Sequence, residues 1–130
     1  MIIIGHPWVK FEAFYAVESA QDVAKTPPNS RVIFPFCEKN LSLCEHCEKN
    51  GVSFALVCYK KEDVLFAQAL GCDFIVCDKT LVKEAQLFAD GYLFDAKILL
   101  RTKDEADLLW AADSQIDGIL FEKGVIYGSG

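Results

Sequence analysis

Three basic residues of this sequence stand at equal intervals: Lys79, Arg101 and Lys123 are 22 residues apart. Each follows a short apolar run, and Asp73, Asp95 and Asp117 precede the same runs at the same interval. Thr80 and Thr102 follow the first two cations, and Lys60, Lys61 and Lys103 lie at comparable run ends. If the runs are parallel strands, these cations share the carboxyl edge of a sheet, where ligands bind and helix N-termini point. Cations at equal height on strands ~4.8 Å apart repel unless an anion or a spreading loop relieves them. The spacing therefore points to a phosphate or carboxylate held by Lys79, Thr80, Arg101, Thr102, Lys123 and Lys60, with the aspartates at the opposite edge. Loops and helix starts also carry Lys and Thr for solvation alone, and that is the plainer account of the same residues. His6 ends the first apolar run, and Pro7 holds it extended, so it can close one side of the site as acid, base or phosphate contact.

Other groups carry less. Lys79 after Val-Cys-Asp is a Schiff-base candidate only if desolvation lowers its pKa. Asp78 beside it points to the other face of a strand, which weakens the pair. Cys44-Glu45-His46-Cys47, seven residues after Cys37, has the look of a zinc site. A structural zinc needs four ligands, and no second CxxC is present. On a helix over 38–50, Leu43, Cys44 and Cys47 form one buried stripe instead. Thioredoxin-type redox work needs CxxC to open a helix straight after a strand, which Cys44 does not do. Cys58 and Cys77, in matching VCYK and VCDK segments, read as small buried thiols. No metal, cofactor or disulfide is expected. Walker, GxGxxG, HExxH, GxSxG and EF-hand patterns are all absent.

The elements that must position these residues are regular from Arg31 onward. Apolar runs at 31–36, 53–59, 74–77, 96–100 and 118–121 predict strands, and amphipathic segments between them predict helices. Leu81, Ala85, Phe88 and Ala89 form one helix face, as do Ala106, Leu109 and Trp110 after a Thr102/Glu105 capping box. Gly51, Gly71 and Gly91 read as helix terminators. Residues 1–30 are less regular: a short strand at 2–4, an aromatic segment (Trp8, Phe11, Phe14, Tyr15), a candidate strand at 14–18, and a Ser19/Asp22 capping box. Residues 124–130 read as a tail.

Segments such as AQALGCDFIVCD (67–78) and SQIDGILF (114–121) resemble strand–helix units of small phosphate-binding (β/α)-barrel enzymes, over roughly 52–123. That resemblance implies parallel strands with a ligand site at their carboxyl ends. The chain departs from the pattern in two respects. It is too short to supply eight strand–helix units, and it has no Gly-rich phosphate loop in its last unit, so no catalytic residue is carried over. The expected fold is a single three-layer α/β domain with a mostly parallel sheet of five or six strands, open and flavodoxin-like. An incomplete (β/α) barrel is the alternative.

Composition narrows the function classes. With 52% apolar residues and 25% charged in 130, the chain builds a core as one domain. A net charge of −6 argues against nucleic acid as partner. An export signal and a membrane-length apolar run are both missing, which points to the cytoplasm and no membrane contact. Two readings remain: a domain binding a small anionic metabolite, or a non-catalytic assembly domain. The second, with self-association as a homodimer, rests on exposed aromatic candidates Trp8, Phe11 and Phe14. No reaction class follows from either.

Overall fold

Short runs dense in Ile, Val, Leu and Phe, with no polar alternation, form strands covered on both faces, the usual condition of parallel sheets. The computed structural model describes residues 1–128. It contains eight strands: β1 Ile2–Ile4, β2 Phe14–Ala16, β3 Arg31–Pro35, β4 Phe54–Val57, β5 Phe74–Cys77, β6 Lys97–Thr102, β7 Gly118–Phe121 and β8 Val125–Ile126. All pair parallel in one sheet, ordered β1-β7-β6-β5-β4-β3-β2-β8. The helices are α1 Ala20–Ala24, α2 Leu41–Lys49, α3 Lys61–Ala69, α4 Val82–Gly91 and α5 Asp107–Asp113.

The sheet is curled, and the topology requires it. Laid flat, eight strands at ~4.8 Å spacing span roughly 34 Å. Yet β7 and β8, near opposite ends of the order, are joined by the single 3-10 turn Glu122–Gly124. Phe14 of β2 and Phe74 of β5, with two strands between them, bring their rings to 5.2 Å. Ile4, Phe14, Ile33, Ala55, Val57, Val76, Leu99, Leu120 and Val125, drawn from all eight strands, form one buried cluster without a helix residue. The concave face is therefore filled by the sheet's own side chains, as in a small barrel. The alternate strand residues, including Phe34, Phe54, Leu56, Ile75, Ile98, Leu100 and Ile119, meet the helices in a second cluster.

The incomplete barrel is thus the form adopted, with eight strands in place of five or six. The expectation that the chain is too short for eight strands counted only strand–helix units. β1, β2 and β8 have two or three residues each, and neither β1 nor β8 is followed by a helix. In a sequential barrel the first strand lies beside the second and the last beside the seventh. Here β1 lies beside β7 and β8 beside β2, so the two end strands have exchanged places.

Local details follow capping chemistry in part. Ser19 Oγ accepts from the Asp22 amide at 3.2 Å, so the Ser19 cap forms, whereas Asp22 accepts from the Glu18 amide at 2.9 Å and not from Ser19, so the box is not reciprocal. The Thr102/Glu105 box does not form. Thr102 Oγ1 donates to Asp107 at 2.6 Å and accepts from the Asp104 amide, and α5 starts only at Asp107. That delay rotates α5, leaving Ala106 and Leu109 exposed while Leu108 and Trp110 pack on the core. Gly51 and Gly71 end their helices with positive φ, whereas after α4 it is Leu93 that adopts one. Leu43, Cys44 and Cys47 form the expected buried stripe of α2, and Cys58, Cys72 and Cys77 are buried. The last two residues of the predicted tail lie outside the described residues.

The turn after β3 depends on one buried polar group. Asn40 donates from Nδ2 to the Pro35 carbonyl at 2.9 Å. Asn40→Ala leaves that carbonyl unpaired and is expected to cost about 1–2 kcal/mol, read as a lower urea midpoint at unchanged m-value.

Candidate functional site at the carboxyl mouth of the sheet

The strand register decides where the cations go. Cys77 pairs with Leu100, so Lys79 stands level with Thr102 and not with Arg101. A slip of one residue turns a side chain to the other face. Arg101 continues the concave-facing alternation of Leu99, and Lys79 turns to the helix layer. There its Nζ meets Asp107 Oδ1 at 2.8 Å and lies 4.8 Å from the Trp110 ring centroid. Hydrogen bonds from Lys79 and Thr102 pull the Asp107 carboxyl below its usual value. Lys79 is half exposed and ion-paired, not the buried lysine that Schiff-base chemistry requires.

The other predicted residues also find local partners. Thr80 donates from its amide and hydroxyl to Asp78 Oδ1, at 3.0 and 2.6 Å, closing a turn. Lys60 is exposed just before α3, where buried Asp63 accepts from the Tyr59 and Lys60 amides at 3.1 and 3.3 Å. Lys123 is exposed in the 3-10 turn after β7, beyond Phe121, which is itself level with Thr102. His6 Nε2 is 3.0 Å from Glu105, its Nδ1 accepts from the Trp8 amide, and its ring packs on Trp8 and Phe121. Asp73, Asp95 and Asp117 do lie at the amino edge. Asp73 accepts from Ser53 Oγ at 2.6 Å, and Asp117 accepts from the Ile98 amide at 2.9 Å.

Arg101 alone among the seven lines a cleft of about 480 Å³ at the carboxyl mouth. Its floor and walls are the ends of β2, β3, β4 and β8, with Ala16, Ile33, Pro35, Val57 and Val125 supplying apolar surface. Tyr59, Tyr127, Glu18 and Asp22 bring polar groups to the rim. Arg101 Nη2 donates to the Tyr127 hydroxyl. A second cleft of about 380 Å³, lined by Arg101, Thr102, Lys103, Glu122, Val125 and Tyr127, adjoins it. Both fall in the size range of small-molecule sites, roughly 300–1,000 Å³.

The 22-residue periodicity missed Glu18, Asp22, Tyr59 and Tyr127. For Tyr127 the sequence signal was the apolar run Val125-Ile126-Tyr127 after Gly124, which marks β8 and places Tyr127 on the same side of the strand as Val125. Phe11 and Phe14, expected at an interface, belong to the concave core; Phe14 is fully buried because β2 is an interior strand of the sheet. Trp8 is 87% exposed. Among the described residues, no group of three or more His, Cys, Asp or Glu is disposed to hold a metal ion. No helix among them is long and apolar enough to cross a membrane. No known protein family matches the chain, and no curated protein matches it either.

Proposed function

We propose that this chain binds a small metabolite bearing a carboxylate or phosphate at the carboxyl mouth of the curled sheet. One observation carries the reading: Arg101 is the cation on the wall of a cleft with an apolar floor. A guanidinium beside apolar surface holds an anion more strongly than one in open water, because the local dielectric is lower. Tyr127, whose hydroxyl accepts from Arg101, and Tyr59 line the same cleft. Lys79 is excluded from the anchor set by its pairing with Asp107, and Thr102 by its bond to the same carboxylate.

The test is ligand-detected binding with phosphate and a panel of small carboxylates. Arg101→Ala is expected to weaken the bound anion by about 1.5–3 kcal/mol, the value of a charged hydrogen bond. Lys79→Ala is expected to leave it unchanged. Equal affinity in the Arg101→Ala variant, or no anion bound at all, overturns the reading.

The assembly alternative is favoured by exposed Trp8, Phe66, Leu87 and Leu109, each at least 60% accessible. Light scattering at high micromolar concentration separates the two, since an assembly domain gives a mass above one chain.

A further inference from the structure

Charge at the mouth narrows the ligand class. Glu18 and Asp22 line the same cleft as Arg101, so the cleft has one guanidinium and two acidic residues in its lining. They are not equivalent. Asp22 is committed to the start of α1, where its carboxylate accepts from the Glu18 amide at 2.9 Å. The Glu18 carboxylate is exposed and makes no hydrogen bond or ion pair among the described residues. Arg101 is held on its own side by Tyr127. Val57, Ile33, Pro35 and Val125 line the same cleft with apolar surface.

A phosphate dianion seated at Arg101 meets this pair of acids without a second cation to offset them, since Lys103 lines only the adjoining cleft. Like charges across a partly enclosed site cost affinity, whereas a ligand carrying its own cation turns the same acids into partners. We infer that the mouth cleft takes an amphoteric ligand of the amino-acid class, its carboxylate on Arg101, its ammonium on Glu18 and its apolar side chain on the strand ends. This rests on the cleft being the anion site proposed above and goes beyond it by assigning the second charge.

Matched probes separate the two claims. L-phenylalanine carries both charges, 3-phenylpropanoate lacks the ammonium, 2-phenylethylamine lacks the carboxylate, and inorganic phosphate is the dianion. Titrations followed by amide NMR at Glu18, Tyr59 and Arg101 are expected to rank L-phenylalanine first, roughly tenfold ahead of each single-charge probe. Glu18→Gln is expected to reduce L-phenylalanine to the level of 3-phenylpropanoate while leaving 3-phenylpropanoate unweakened. Arg101→Ala is expected to reduce L-phenylalanine to the level of 2-phenylethylamine. If phosphate or 3-phenylpropanoate binds at Arg101 as well as or better than L-phenylalanine, the amphoteric assignment falls and the anion site stands. If no probe shows binding that depends on Arg101, both fall.

Discussion

Raising the pH from 8 to 10.5 is expected to destabilise this protein strongly even with reductant present. Burial pushes the thiols of Cys72 and Cys77 up to about 12, and that of Cys58 further in the same direction. Cys44 and Cys47 rise to about 11 for the same first reason. In the unfolded chain these groups ionise near the ordinary 9.0. Above that pH the unfolded chain binds fewer protons than the folded one, so stability falls as pH rises. The contribution is present in full below about 9 and is lost progressively as pH climbs toward the folded values. Each thiol supplies a slope of up to about 1.4 kcal/mol per pH unit. The three deepest together approach about 4 kcal/mol per unit, against a total stability of order 5–15 kcal/mol. Urea midpoints at pH 8.0, 9.5 and 10.5 measure the effect. The double variant Cys72→Ala/Cys77→Ala is expected to start lower at pH 8.0 and to fall less steeply. An identical slope in that variant shows that other groups cause the loss.

Replacing Gly5 by alanine is expected to lower stability by about 4 kcal/mol, the sum of backbone strain and overpacking. Gly5 has φ +101°, and a Cβ there falls 2.6 Å from the Gly124 amide nitrogen and 2.9 Å from the Phe121 carbonyl oxygen. Both atoms are backbone, so no side-chain rotation relieves the contact. The same crossing crowds a Cβ at Gly124, which would lie 2.7 Å from Leu120 Cδ1 and 2.8 Å from Ile4 Cγ2. Here the end of β1 passes the β7–β8 turn, which lets the two end strands exchange places. At roughly 4 °C per kcal/mol for a chain of this size, Gly5→Ala moves the melting temperature down by about 15 °C. Gly51→Ala is the control. Its φ is +66° with open space around it, so only the conformational cost of about 1 kcal/mol remains. Equal losses for the two variants remove the close approach as the cause.

What sequence alone determined here is local. Continuous apolar runs at 31–36, 53–59, 74–77, 96–100 and 118–121 reported strands buried on both faces. The stripe of Leu81, Ala85 and Ala89 reported a helix face, since side-chain period follows directly from backbone geometry. The Ser19/Asp22 cap was legible for the same reason, because its partners lie within one turn. Two-residue β8 and three-residue β1 and β2 were not countable, since such short runs are strands only by virtue of the neighbours they pair with. The candidate site was half legible. Arg101 was found through the 22-residue spacing, but that spacing, which grouped it with Lys79 and Lys123, is a property of the chain and not of the sheet. Register is set by how each helix and turn seats the next strand: Cys77 pairs with Leu100, and Leu100 with Ile119. That offset of one position sends Lys79 to Asp107 and Arg101 into the cleft. Glu18, Tyr59 and Tyr127 join Arg101 only through the curl, which closes distances between strands far apart in the order. Neither register nor curvature is a property of any one segment, and the site is made of both.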